Sequence, residues 1–100
     1  MQNPSAHDLR QLNQMLDVVK LFLQDRVSPQ GLVGTLSFLL ENLEYAPEEW
    51  KETFRQKWGL LEMLNAEARE ARRPLTEVER QYAKNITKEI KKLVENMMTS

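Results

Sequence analysis

A chain of 100 residues and 11.8 kDa fits one domain, and its 41% hydrophobic and 29% charged residues, three glycines and four prolines belong to an ordered helical protein rather than a disordered tail. The formal net charge of −1 is too near zero to point to nucleic acid or membrane by itself. The absence of cysteine excludes disulfides, thiolate metal sites and cysteine nucleophiles together.

Ser5 can cap a first helix, predicted over 6–25, with Asp8 in its opening turn. Leu9, Leu12, Leu16, Val19 and Leu23 recur on one face, and Met15, Val18 and Phe22 widen it. So broad a stripe predicts contact with two neighbours. His7, the only histidine, lies near a terminus expected to fray and is read as inert. Ser28-Pro29 is a cap followed by proline at the first helical position, which starts a second helix, predicted over 29–45.

In that second helix Leu32, Leu36, Leu39 and Leu43 follow the helical period, joined by Val33 and Leu40. Off this stripe, Gly34, Phe38, Glu41 and Tyr45 are spaced four, three and four. They form a separate ridge, which either packs on a second neighbour or stands exposed as a recognition surface. Pro47 disfavours helical geometry at Ala46 and suits the start of a third helix, predicted over 48–72. Glu48 and Glu49 then meet the positive end of its dipole.

Trp50, Phe54, Leu61, Leu64 and Ala68 share one face of the third helix, with two tryptophans and a phenylalanine inside nine residues supplying bulk. Lys57 falls within that stripe. Its stem either lies along the core with the ammonium in water, or Glu41 or Glu44 holds it as a pair across the hairpin. Arg72-Arg73-Pro74 ends the helix. Thr76-Glu77-Val78-Glu79 is a capping box, opening a fourth helix predicted over 77–97, with Val78, Tyr82, Ile86, Ile90, Leu93 and Met97 inward. Residues 1–4 and 99–100 are expected to fray. Four amphipathic helices with short links predict an all-α, single-domain, up-down four-helix bundle, with a looser orthogonal packing as the alternative.

Little in this chain spells out a reaction. There is no glycine-rich phosphate loop, no paired Glu-x-x-His motif of a di-iron bundle and no evident nucleophile with its base. The expectation is a non-enzyme with no metal and no small-molecule cofactor. The first residues lack the basic start and apolar run of a secretory signal, and no window approaches the roughly 20 apolar residues of a membrane span. No membrane association is therefore expected, and the cytoplasm is the default compartment.

Charge is uneven. Residues 1–50 carry three basic and seven acidic side chains, and residues 51–100 carry eleven and eight. Glu41, Glu44, Glu48, Glu49 and Glu52 gather at the corner between the second and third helices, where they could steer a basic partner. Phe38, Glu41, Glu44, Tyr45, Glu48, Glu49, Trp50 and Glu52 are the candidate partner-binding residues. On the fourth helix Arg80, Lys84, Lys88 and Lys91 align, but Glu77 and Glu95 interrupt them and no aromatics interleave. That pattern reads as a solvated face before it reads as a nucleic-acid site.

The run LSFLLENLEYAPEEW from Leu36 to Trp50, continuing through Phe54, Trp58, Leu61 and Glu62, resembles small helical bacterial proteins of uncharacterised function, some of them similar to immunity proteins carried beside secreted toxins. The resemblance implies a toxin-binding surface rather than catalysis, and it transfers no site residue. Three expectations follow: a protein-binding module, a self-associating helical homodimer built on the same ridge, and a regulator contacting nucleic acid through the fourth helix.

Overall fold

A computed structural model describes residues 4–99. They form four helices, α1 (Ala6–Leu23), α2 (Pro29–Glu41), α3 (Glu48–Glu70) and α4 (Glu77–Thr99), with no strand among the described residues. None of these helices is long and apolar enough to cross a membrane.

The helix starts follow local chemistry. Ser5 accepts the Asp8 N–H at 3.1 Å and Ser28 accepts the Gly31 N–H at 3.0 Å, each satisfying a donor that the first turn leaves orphaned. At α4 the capping box is complete: Glu79 N–H donates to the Thr76 hydroxyl at 3.1 Å, and Thr76 N–H donates back to Glu79 Oε1 at 2.8 Å. Pro47 stands at the N-cap of α3 in extended geometry, without a side-chain cap bond, so Glu48 and Glu49 supply the favourable end charge.

The helix ends differ from expectation. α1 and α3 both stop two residues early, in Schellman motifs. At α1 the Arg26 N–H reaches the Leu21 carbonyl and the Asp25 N–H reaches Phe22; at α3 the Arg73 N–H reaches Ala68 and the Arg72 N–H reaches Arg69. Each motif needs one residue at positive φ, and these are Asp25 (60°) and Arg72 (55°) rather than glycine. α2 stops four residues early, at Glu41, for a reason that lies in α1 and is described below. At the other end α4 runs on to Thr99. Of the residues expected to fray, 1–3 and 100 lie outside the described residues, Pro4 is not helical, and Thr99 closes α4.

The helices pack as a square ring: the α1 backbone lies close to α2 and α4, that of α3 lies close to α2 and α4, and the diagonal pairs face each other across the core. Contacts along the seams show each neighbouring pair to be antiparallel. His7 at the start of α1 meets Asn42 just beyond α2; Asp25 after α1 meets Lys84 early in α4; Trp50 at the start of α3 meets Leu93 late in α4. The result is the expected up-down bundle, 44 × 23 × 18 Å. The wide apolar face of α1 is explained by its two neighbours, as Leu12, Met15, Val18, Val19 and Phe22 are all buried.

Phe22 and Phe54 are the bulkiest fully buried side chains. α3 is further fastened by its two indoles. Trp58 Nε1 donates to the Val33 carbonyl of α2 at 2.9 Å, and Trp50 Nε1 donates to the Leu93 carbonyl of α4 at 3.1 Å. Trp50 also tilts against Phe54, centroids 5.4 Å apart, a favourable aromatic separation.

One inward face departs from the sequence reading. Val78 is 80% and Tyr82 48% exposed, while Ala83, Ile86, Thr87, Ile90 and Val94 are buried. The true stripe of α4 is rotated because small Ala83 and Thr87 permit close approach, and the Thr87 hydroxyl donates to the Ala83 carbonyl at 2.7 Å, so it enters the core satisfied. Leu75, ahead of the helix, joins the core while Val78 does not. For Lys57 only the pairing with Glu41 or Glu44 is corrected: its ammonium reaches the surface and meets the exposed Glu89 Oε1 of α4 at 3.1 Å, because this edge of α3 faces α4 and not the α2 side.

Candidate functional site

The corner between α2 and α3 is shaped from a distance. Asn42 closes α2 by donating its side-chain amide to the Phe38 carbonyl at 2.8 Å. The Leu43 N–H still reaches back to the Leu40 carbonyl at 3.2 Å, but the two amides after it leave the helix: Glu44 N–H donates to Asp8 Oδ1 and Tyr45 N–H to Asp8 Oδ2, each at 2.9 Å. Asp8 is 2% exposed, and its carboxylate is satisfied by one backbone donor on each oxygen, the arrangement a buried charge requires. α2 ends at Glu41 because this carboxylate competes successfully for amides that residues 44 and 45 would otherwise direct up the helix.

His7 completes the clasp. Its Nε2 donates to the Asn42 carbonyl at 2.7 Å, so His7, expected near a fraying end, stands instead in the first turn of α1 and ties it to the end of α2. His7, Asp8 and Glu44 bring three potential metal-ligand atoms within 4.8 Å of one another. Both Asp8 oxygens and His7 Nε2 are engaged by backbone groups. The arrangement is suited to positioning a loop.

Held this way, the corner presents much of the candidate surface. Phe38 is 66% and Tyr45 73% exposed, and Gly34 and Glu41 on the same ridge are exposed as well. An added Cβ at Gly34 would meet nothing within 4 Å. The neighbouring helices therefore leave the ridge uncovered. Glu44, Glu48, Glu49 and Glu52 are exposed beside it. Arg55 lies 3.3 Å from Glu48 and 3.8 Å from Glu52, while Glu41, Glu44 and Glu49 have no cationic partner among the described residues. Trp50 stands apart from this surface, half-buried and bonded to α4.

The basic line on α4 is largely engaged. Lys84 lies 3.0 Å and Arg80 3.6 Å from Asp25, and Lys91 lies 4.0 Å from Glu95. At the start of α4 Arg73 forks onto Glu79, Nη1 to Oε1 at 2.7 Å and Nη2 to Oε2 at 3.2 Å. That pair, followed by the Thr76 amide, holds the Glu79 carboxyl down at about 2, and in turn raises the Arg73 guanidinium.

Sequence reasoning placed the ridge and the acidic cluster but missed the clasp. Its only local signal was an acid at the third position of a capped helix, which the helix dipole alone explains. Comparison with family models, with curated proteins and with solved structures finds no match to this chain.

Proposed function

We propose that this chain is a non-catalytic protein-binding module whose corner receives a basic surface of another protein. The observation that carries the reading is the exposure of Phe38 and Tyr45, at 66% and 73%, beside carboxylates with no cation of their own. Aromatic side chains standing free next to uncompensated charge suit a partner that covers the rings and supplies lysine or arginine. The Asp8 clasp adds to this: a loop ordered before binding loses less conformational freedom on association. Neutralisation of a basic toxin is the narrower form of the same proposal.

The test starts from a partner isolated on the immobilised chain from its native host, then measured by calorimetry against folded variants. Phe38→Ala, Tyr45→Ala and the double Glu48→Lys, Glu49→Lys variant are each expected to weaken binding by roughly tenfold or more, the cost of losing a central aromatic anchor or reversing complementary charge. Full affinity in all three rejects this surface. A second reading, self-association, is supported by the open backbone at Gly34, where a second copy could approach closely. Light scattering across a concentration series separates the two, since a strict monomer leaves the ridge without a self-partner.

A further inference from the structure

The end of the bundle opposite the acidic corner holds a cleft of about 480 Å³, formed by the start of α2, the end of α3, the linker 71–76 and the first turn of α4. Its volume lies in the range of small-molecule sites. Four arginines line it, Arg69, Arg72, Arg73 and Arg80, and none of its lining residues is acidic. From this and two further observations we infer that the cleft is a binding site for a small phosphate monoester.

The first observation is the N-terminus of α2, which opens on the cleft through Ser28, Pro29 and Gln30. Ser28 takes the Gly31 N–H, and proline has none, so the Gln30 N–H is left to face an acceptor. No acidic side chain stands in this first turn, although an anion is what a helix N-terminus favours. The second is Asn65. It lines the cleft, is only 8% exposed, and makes no side-chain hydrogen bond among the described residues. No side-chain polar atom among the described residues is both sealed and unpartnered, so the amide of Asn65 stays open, on a residue that lines the cleft. That amide meets solvent in place of a protein partner, and a ligand oxygen could take the water's position.

The charges agree. Glu79 engages Arg73 and Asp25 lies 3.6 Å from Arg80, but Arg69 and Arg72 have no anionic partner among the described residues. The carbonyl end of α3 also reaches this region, yet the Ala68 and Arg69 carbonyls are taken by the amides of the Schellman motif, which removes them as competitors for the guanidinium groups. Guanidinium forks match phosphate oxygens in geometry as well as charge. Pro29, Ala68 and Leu75 give the same cleft an apolar side, against which the organic part of a monoester would lie.

Amide-resolved NMR titration of the full chain tests this, with inorganic phosphate in one arm and adenosine monophosphate in the other, at ionic strength matched with chloride. Saturable shifts of the Gln30 backbone amide and the Asn65 side-chain amide are expected in both arms if the site reads phosphate alone. Saturation at lower concentration by the nucleotide assigns the apolar side to the organic group. The double variant Arg69→Gln, Arg72→Gln is expected to weaken either ligand by about tenfold or more, as for loss of charge-assisted bonds. Asn65→Asp, which keeps the shape and adds repulsion, is expected to abolish the shifts while the helical circular dichroism is retained. Shifts that grow linearly with salt, that spread over the α4 lysines, or that persist unchanged in both variants overturn the assignment.

Discussion

Replacing Asp8 by alanine removes one side chain that is 2% exposed and accepts two backbone amides 36 and 37 residues away. Two effects compete to set the cost. As an acid in the first turn of α1, Asp8 contributes about 0.3–1 kcal/mol through the helix dipole. As a clasp it makes two bonds to a charged acceptor, and losing it leaves the Glu44 and Tyr45 donors unpaired at roughly 1–2 kcal/mol each, the lower part of the usual range because both residues are exposed. The expected loss is therefore about 2–4 kcal/mol, a substantial part of the 5–15 kcal/mol that holds an ordinary domain. Urea unfolding of the variant would show the difference as a lower midpoint at nearly constant slope. Thermal unfolding would fall by roughly 10–25 °C in a domain of this size. Amide exchange localises the effect, because protection at Glu44 and Tyr45 should drop more than at Ile90. A cost below about 1 kcal/mol with those two amides still protected would falsify the clasp and return Asp8 to an ordinary helix-end charge.

Arg72→Gly should stabilise the protein by about 0.5–1 kcal/mol, since glycine adopts positive φ without the penalty an L side chain meets there; denaturant unfolding checks it, and an unchanged midpoint contradicts it. For Glu79 the folded carboxyl titrates at about 2 against an ordinary 4.5, so its contribution is complete above about pH 4.5 and is lost as pH falls through about 2. The stability gap between wild type and Glu79→Gln should therefore narrow over that window, and a gap independent of pH would exclude the Arg73 pair as its source. On α4, Val78→Lys should change stability by no more than about 0.5 kcal/mol, whereas Ile90→Ala should cost about 2–5 kcal/mol. Equal costs at the two positions would mean that the helix presents a different face to the core.

Helix number and helix starts were legible because their causes are local. Ser5, Ser28 with Pro29, and Thr76 with Glu79 act within three residues of where they stand. Helix ends were less legible. Asp25 and Arg72 terminate their helices in a conformation usually given to glycine, so composition did not announce them. The end of α2 depends on Asp8, which no window of adjacent residues contains. On α4 the alternation of larger apolar residues favoured Val78 and Tyr82, but small Ala83 and Thr87 set the rotation. Of the candidate surface, the spacing of Gly34, Phe38, Glu41 and Tyr45 was plain in the chain. That neither neighbour covers it depends on the square ring, a property of four helices together.

Both indoles belong to α3, yet each is anchored on a different neighbour, Trp50 on the Leu93 carbonyl and Trp58 on the Val33 carbonyl. The chain thus carries two indole fluorophores, one at the α3–α4 seam and one at the α2–α3 seam. Single-tryptophan variants, Trp50→Phe and Trp58→Phe, would each emit from one seam alone. Stopped-flow records of the pair would time the closing of each seam during refolding without any added label.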